Sequence, residues 1–123
     1  MRIKYIPFFT GDMEEQIRFF TEKLKFKVAD NVQLYEHAGA TLLQSANGDV
    51  QVAISDRREY RNHKNYVILS TDDCLKDYHS LKAEGLIFTK EPHYVPVGLA
   101  AEFCDHNDNR FMLLEERNYN DDL

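Results

Sequence analysis

The stretch Gly98–Glu116, GLAAEFCDHNDNRFMLLEE, decides the fold. It reads as a strand, a tight polar turn at Asp105–Arg110, and an apolar strand that closes the folded part of the chain. An earlier stretch, Gly39–Asp56 (GATLLQSANGDVQVAISD), echoes it. There the runs Ala40–Gln44 and Val50–Ile54 flank Asn47-Gly48, a hairpin signal because both residues tolerate the positive φ that tight hairpin turns need. A late hairpin matched by an early one predicts a chain built from two similar halves.

Length and composition bound the rest. With 123 residues, 43% of them hydrophobic, the chain is the size of one domain. No run approaches the roughly 18 apolar residues of a membrane span. The opening MRIKYIPFFTGDMEEQ lacks the apolar segment and small-residue cleavage site of a secretory signal. Two cysteines, Cys74 and Cys104, make no disulfide framework, so a reducing cytoplasm is expected, with both thiols acting as small hydrophobes. The net charge of −6 and the absence of a basic stripe argue against a nucleic-acid partner and favour a cationic ligand. The acidic end, Asn118–Leu123, is expected to fray.

In chain order, Arg2–Phe9 has strand character, and Pro7 places it at a sheet edge or a bulge. Asp12 with Glu15 three residues on resembles a capping box, and Met13, Ile17, Phe20 and Leu24 recur at helical spacing. Phe26–Ala29 resumes strand character, Asp30–Asn31 reads as a turn, and Val32–His37 as a partly polar strand. Asp56–Lys64 (DRREYRNHK) is a charged, apolar-poor linker. The pattern then restarts: strand at Tyr66–Leu69, cap candidates at Thr71-Asp72-Asp73, a second helix marked by Leu75, Tyr78 and Leu81, and Gly85 to end it. Leu86–Thr89 reads as a short strand and Glu91–Gly98 (EPHYVPVG) as a Pro/Gly loop. A shift of 61 residues superposes the halves: Tyr5 on Tyr66, Asp12 on Asp73, Gln51 on Met112. The order is βαβββ twice, an α+β fold, with module one at about 1–56, linker 57–64, module two at about 65–116 and a tail at 117–123.

These phrases resemble the vicinal oxygen chelate superfamily, the glyoxalase, bleomycin-resistance and extradiol-dioxygenase group. Asp12–Phe26, DMEEQIRFFTEKLKF, is similar to the family's D-(M/L)-x5-F-Y-x3-L-G-F, with Lys25 in place of the usual glycine. Asp105–Phe111, DHNDNRF, is similar to its D-P-D-G-N-x-(I/F), and Ser70–Asp73, Leu81–Gly85 and Pro96-Val97-Gly98 fall in the expected order. The resemblance implies two modules whose sheets curl around a cavity, and homodimerisation. In metal-dependent members it implies ligands from the first and last strand of each module, positions that map here to Tyr5, Gln51, Tyr66 and Met112.

Those four do not suit a divalent metal, which calls for imidazole or carboxylate ligands. No metal, cofactor or catalytic residue is therefore assigned. They suit an organic ligand instead, because strand alternation groups Tyr5 with Phe9, Tyr66 with Ile68, and Gln51 and Met112 with their own faces. Tyrosine faces attract cations by about 0.5–2 kcal/mol. The expected ligand-binding set is Tyr5, Phe9, Gln51, Tyr66, Ile68, Tyr94 and Met112, with Tyr94 at a pocket rim in the loop it shares with His93. Glu102 faces either cavity or solvent. His37, His63, His79, His93 and His106 lack metal-ligand spacing, and Cys104 with His106 is read as structural. The first reading is a metal-free binder similar to the bleomycin-resistance branch, although Val97 stands where that branch often has tryptophan, a residue this chain lacks. The alternatives are a lyase or dioxygenase with displaced ligands, and a dimeric partner-binding module without a small ligand.

Overall fold

A computed structural model describes residues 1–48 and 50–117. Asp49 of the first hairpin and the acidic Asn118–Leu123 lie outside the described residues. The chain divides into two compact units, Met1–Lys64 and Asn65–Leu123. The first contains β1 (Tyr5–Phe9), α1 (Met13–Arg18), β2 (Lys27–Tyr35), β3 (Ala38–Gln44) and β4 (Gln51–Ser55). The second contains β5 (Tyr66–Ser70), α2 (Cys74–Ala83), β6 (Ile87–Val95), β7 (Gly98–Cys104) and β8 (Arg110–Glu116). Each forms a four-stranded mixed sheet, ordered β1-β4-β3-β2 and β5-β8-β7-β6, with the first and last strands parallel. This is the α+β, twice-βαβββ architecture read from the sequence.

The helices start where local chemistry starts them. Asp12 accepts the Glu15 amide at 3.1 Å and Asp73 accepts the Lys76 amide at 3.0 Å, each satisfying a donor of the first turn. A threonine two residues earlier, Thr10 or Thr71, takes the amide of the capping aspartate itself. Each helix then buries aromatic rings against one face of its sheet. In the first unit Phe20 meets Phe8 edge-on at 5.0 Å. In the second, Tyr78, Phe88, Phe103 and Phe111 form a chain of rings 4.7–5.3 Å apart. Such pairs contribute about 0.5–1.5 kcal/mol each beyond their burial. The first helix continues as a π-helical turn at Phe19–Lys23, where Thr21 donates its hydroxyl back to the Ile17 carbonyl at 3.0 Å.

Two sequence expectations need correction. Asp30–Asn31 is not a turn. β2 runs through it with a register shift between Val28 and Asp30, and Thr41 on β3 donates to the Asn31 side chain at 2.8 Å. Nor is Glu91–Gly98 a loop, because β6 extends through Pro92 to Val95. β6 is an edge strand, so the amide that Pro92 lacks has no ladder position to vacate, and the shift between Lys90 and His93 absorbs the irregularity. Pro7 likewise sits on an edge strand, β1, as its chemistry requires.

The internal repeat is less uniform than a single shift. Equivalent positions lie 61 residues apart at Tyr5/Tyr66 and Asp12/Asp73, 60 apart at Lys27/Ile87 and Ala38/Gly98, and 59 apart at Gln51/Arg110. One residue is lost within the helix, where the first unit carries its π-helical turn, and another in the closing hairpin. The consequence is local: Tyr5 lies opposite Gln51, but Tyr66 lies opposite Arg110 and Met112 opposite Ile68.

Candidate functional site

Each sheet has one face packed on its helix, and the candidate site residues lie largely on the other. In the second unit, register places Lys90, Glu102, Met112 and Ile68 in one row across the four strands of that far face. Tyr66, Cys104 and Arg110 fill the next row, and His93, Ala100, Leu114 and Ser70 the row beyond. Tyr66 and Ile68 are 52% and 58% exposed, large apolar surface on an otherwise ordered sheet.

Among them lies a buried carboxylate. Glu102 is 6% exposed. Its Oε1 accepts the Tyr66 hydroxyl at 2.7 Å and its Oε2 pairs with Lys90 Nζ at 3.1 Å. Burial alone raises its pKa, but donation from Tyr66 and Lys90, with the charges of Lys90 and His93, outweighs burial and holds it below the usual range. The Tyr66 phenol is pushed up, first by burial and then by its bond to the Glu102 anion. The pair is thus an ionised acceptor and a protonated donor at neutral pH. The alternatives left open for Glu102 resolve to the face that carries Tyr66 and Met112.

The first unit's far face is built differently. Ala40, Leu42 and Ala53 are buried on it, with Tyr5, Val32 and Leu34 packed against them. Gln51, beside Tyr5, reaches the Gln44 side chain at 3.4 Å. At the other end Phe9 meets the rings of Tyr60 at 5.2 Å, His63 at 5.9 Å and Tyr35 at 6.5 Å. The Arg57 guanidinium lies 4.3 Å from the Tyr35 ring centroid and 4.6 Å from that of Tyr60, and pairs with Glu59 at 2.8 Å. The charged linker therefore does more than connect. Its 3-10 turn, Arg58–Tyr60, folds back onto the sheet, and His63, though exposed, packs its ring on Phe9.

Of the residues expected to bind ligand, Tyr66, Ile68 and Met112 share one face in the second unit, and Tyr5, Gln51 and Phe9 share one in the first. Tyr94 joins neither set. It pairs with Leu99, on the helix side of β7, and its ring lies 5.6 Å from the Arg117 guanidinium. The second irregularity of β6 turns it there, while His93 takes the far side, with Nδ1 2.8 Å from the Glu91 carbonyl. Sequence reasoning missed Lys90, Arg57, Tyr35 and Tyr60. The signal for Arg57 and Tyr60 was an aromatic residue within a linker otherwise poor in apolar side chains.

The donor set does not fit a divalent metal. Tyr5 and Gln51 are neutral, with Gln51 reaching the Gln44 side chain, while Met112 offers a thioether. Tyr66 is engaged with Glu102 of the adjacent row, a carboxylate that already has a cation. Among the described residues no group of three or more His, Cys, Asp or Glu side chains converges.

A profile of the Glyoxalase/Bleomycin resistance protein/Dioxygenase superfamily matches residues 2–113. The chain belongs to this superfamily. An uncharacterized protein of Shewanella frigidimarina is 25% identical over 92% of both chains. Among solved structures, a superfamily member from Sphaerobacter thermophilus is 25% identical over 94% of this chain and 98% of that one, with a TM-score of 0.82. TnmS3, an antibiotic binding protein from Streptomyces sp. CB03234, is 20% identical over 95% and 97%, with a TM-score of 0.84, a likeness of fold. No described helix is long and apolar enough to cross a membrane.

Proposed function

We propose that this superfamily member is a metal-free small-molecule-binding protein of the bleomycin-resistance type. It takes a cationic, partly aromatic ligand on the face that carries Tyr66, Ile68, Met112 and Glu102. The observation that supports this most is Glu102, an ionised carboxylate kept buried beside Lys90 on a face that also carries the half-exposed Tyr66 and Ile68. A mostly apolar surface with one oriented charge is how ligand sites obtain both affinity and orientation. Tyr5, Phe9 and Gln51 serve the corresponding face of the first unit. TnmS3, alike in fold, is an antibiotic binding protein, and by that analogy the ligand is antibiotic-like; a role in antibiotic resistance as a cytoplasmic homodimer is part of the same proposal and follows from the family resemblance.

The test is a thermal-shift screen of cationic aromatic drugs and metabolites on chelator-dialysed protein, alongside neutral and anionic analogues. At about 100 Kd a ligand stabilises the native state by about 2.7 kcal/mol, a readily measured rise in midpoint. A stoichiometric divalent ion surviving dialysis, or no response to any compound, counts against the proposal.

A further inference from the structure

Lys90 and Glu102 form an asymmetric pair. The carboxylate side chain is 8% exposed, whereas the lysine side chain is 62% exposed and reaches in from an edge strand. Register shifts flank Lys90 on both sides, so its backbone is the least regular on that sheet. Tyr66 fixes Oε1 of Glu102, leaving Oε2 as the oxygen presented to a cation. Ile68 and Met112 continue the same row, supplying apolar surface next to that oxygen.

We infer that Glu102 is the anchor for the ligand's cationic group, and that Lys90 is a resident counter-ion which the ligand displaces. This rests on the binding-protein reading above and names its charge-recognition element. An unpaired buried carboxylate is costly, so the free protein needs a cation there. A lysine is suited to leaving, since its ammonium is a compact, well-hydrated charge on a flexible stem that gains solvent and rotamer freedom when released. The ligand class is an ammonium, amidinium or guanidinium with an apolar body lying toward Ile68 and Met112. Its N–H donates to Oε2 while the Tyr66 hydroxyl keeps Oε1.

The test substitutes an external cation for the internal one. Lys90→Ala should be stabilised by n-butylammonium, which reproduces the missing side chain, more than by sodium chloride of equal ionic strength. A midpoint rise of about 2–3 °C is expected at a concentration several times Kd. The wild type should respond less, because Lys90 competes, and Lys90→Ala/Glu102→Gln should not respond. Equal response to butylammonium and sodium in Lys90→Ala, or a response that survives Glu102→Gln, overturns the inference. Should a variant fail to fold, wild-type amide NMR shifts with n-butylammonium decide: changes at Tyr66, Glu102 and Met112 support it, and their absence refutes it.

A parallel arm with neutral 2-phenylethanol separates the two proposals. If the neutral compound binds at Tyr66 and Ile68 while n-butylammonium ignores Glu102, the chain remains a small-molecule binder and the anchor is wrong. If Lys90→Ala takes up n-butylammonium but no aromatic compound binds the wild type, the anchor stands and the sequestering role falls.

Discussion

The two modules share strand order, helix caps and a face turned away from the helix, yet they furnish that face in opposite ways. In the first, Ala40, Leu42 and Ala53 are buried beneath Tyr5, Val32 and Leu34, and a nearby cation, Arg57, is held by the ring faces of Tyr35 and Tyr60. In the second, Tyr66 and Ile68 stand half-exposed around a buried carboxylate that holds Lys90. Both surfaces thus hold a cation of the chain's own, one through π faces and partner Glu59, the other through a buried carboxylate. The backbone decides which positions face away from the helix, and the side chains decide whether that face is packed or left able to recognise a ligand.

The sharpest way to break this comparison is through the hairpins that precede β4 and β8. Asp105 is buried and accepts the amides of Asn107 and Asn109 at 2.8 and 2.9 Å and the Asn109 side chain at 2.9 Å. Asn109 in turn accepts the Asn65 amide at 2.9 Å, tying the turn to the start of β5. Asp105→Ala leaves buried donors unpaired and should cost about 3 kcal/mol in urea unfolding. Ser45→Ala, at the start of the first module's turn, should cost under about 1 kcal/mol. Equal costs would mean the second hairpin is no more tightly built than the first.

The helix exits give the next effects. Gly85 (φ 94) ends the second helix in the left-handed region, where it is unstrained, and Lys25 (φ 62) occupies the equivalent place sixty residues earlier. Gly85→Ala should destabilise by about 1–2 kcal/mol even though a Cβ there meets nothing, since the strain is conformational. Lys25→Gly should stabilise by about 0.5–1 kcal/mol, the smaller gain reflecting glycine's extra freedom in the unfolded chain. Denaturation midpoints of the two variants check both signs.

The smallest effect is a slope, carried in the second module by Tyr66 and Glu102. Glu102 has a depressed folded pKa, so its contribution is present above its unfolded value and is lost as pH falls below about 4. Tyr66 has a raised folded pKa, so its contribution is present below about pH 10 and is lost as pH rises through the folded value. Glu102→Gln should flatten part of the acid limb of stability against pH, and Tyr66→Phe part of the alkaline limb. Limbs unchanged in both variants would remove the pair from the account.

Much of the fold was legible because local signals agreed: capping aspartates at 12 and 73, helical stripes, and the turn at 105–110. What misled was polarity read as punctuation. Asp30-Asn31 and Glu91-Pro92 look like breaks, but on edge strands polar residues and proline cost little, so β2 and β6 continue through them. The far faces were legible by alternation for Tyr5, Phe9, Gln51, Tyr66, Ile68 and Met112. Tyr94 was not, since each strand irregularity flips the residues beyond it and a sequence does not show how many occur. Glu102 was visible as a residue but not as a site, because its meaning depends on Tyr66 and Lys90, which are neighbours only in the folded sheet.

Under the proposed function, the second module's far face binds a cationic aromatic ligand without metal. An amide NMR titration of chelator-dialysed protein with phenethylammonium, 2-phenylethanol and phenylacetate tests it most directly. Saturable shifts centred on Tyr66, Ile68, Glu102 and Met112 are expected, strongest for the ammonium and weakest for the carboxylate. Shifts scattered elsewhere, or equal affinity for all three compounds, would contradict it.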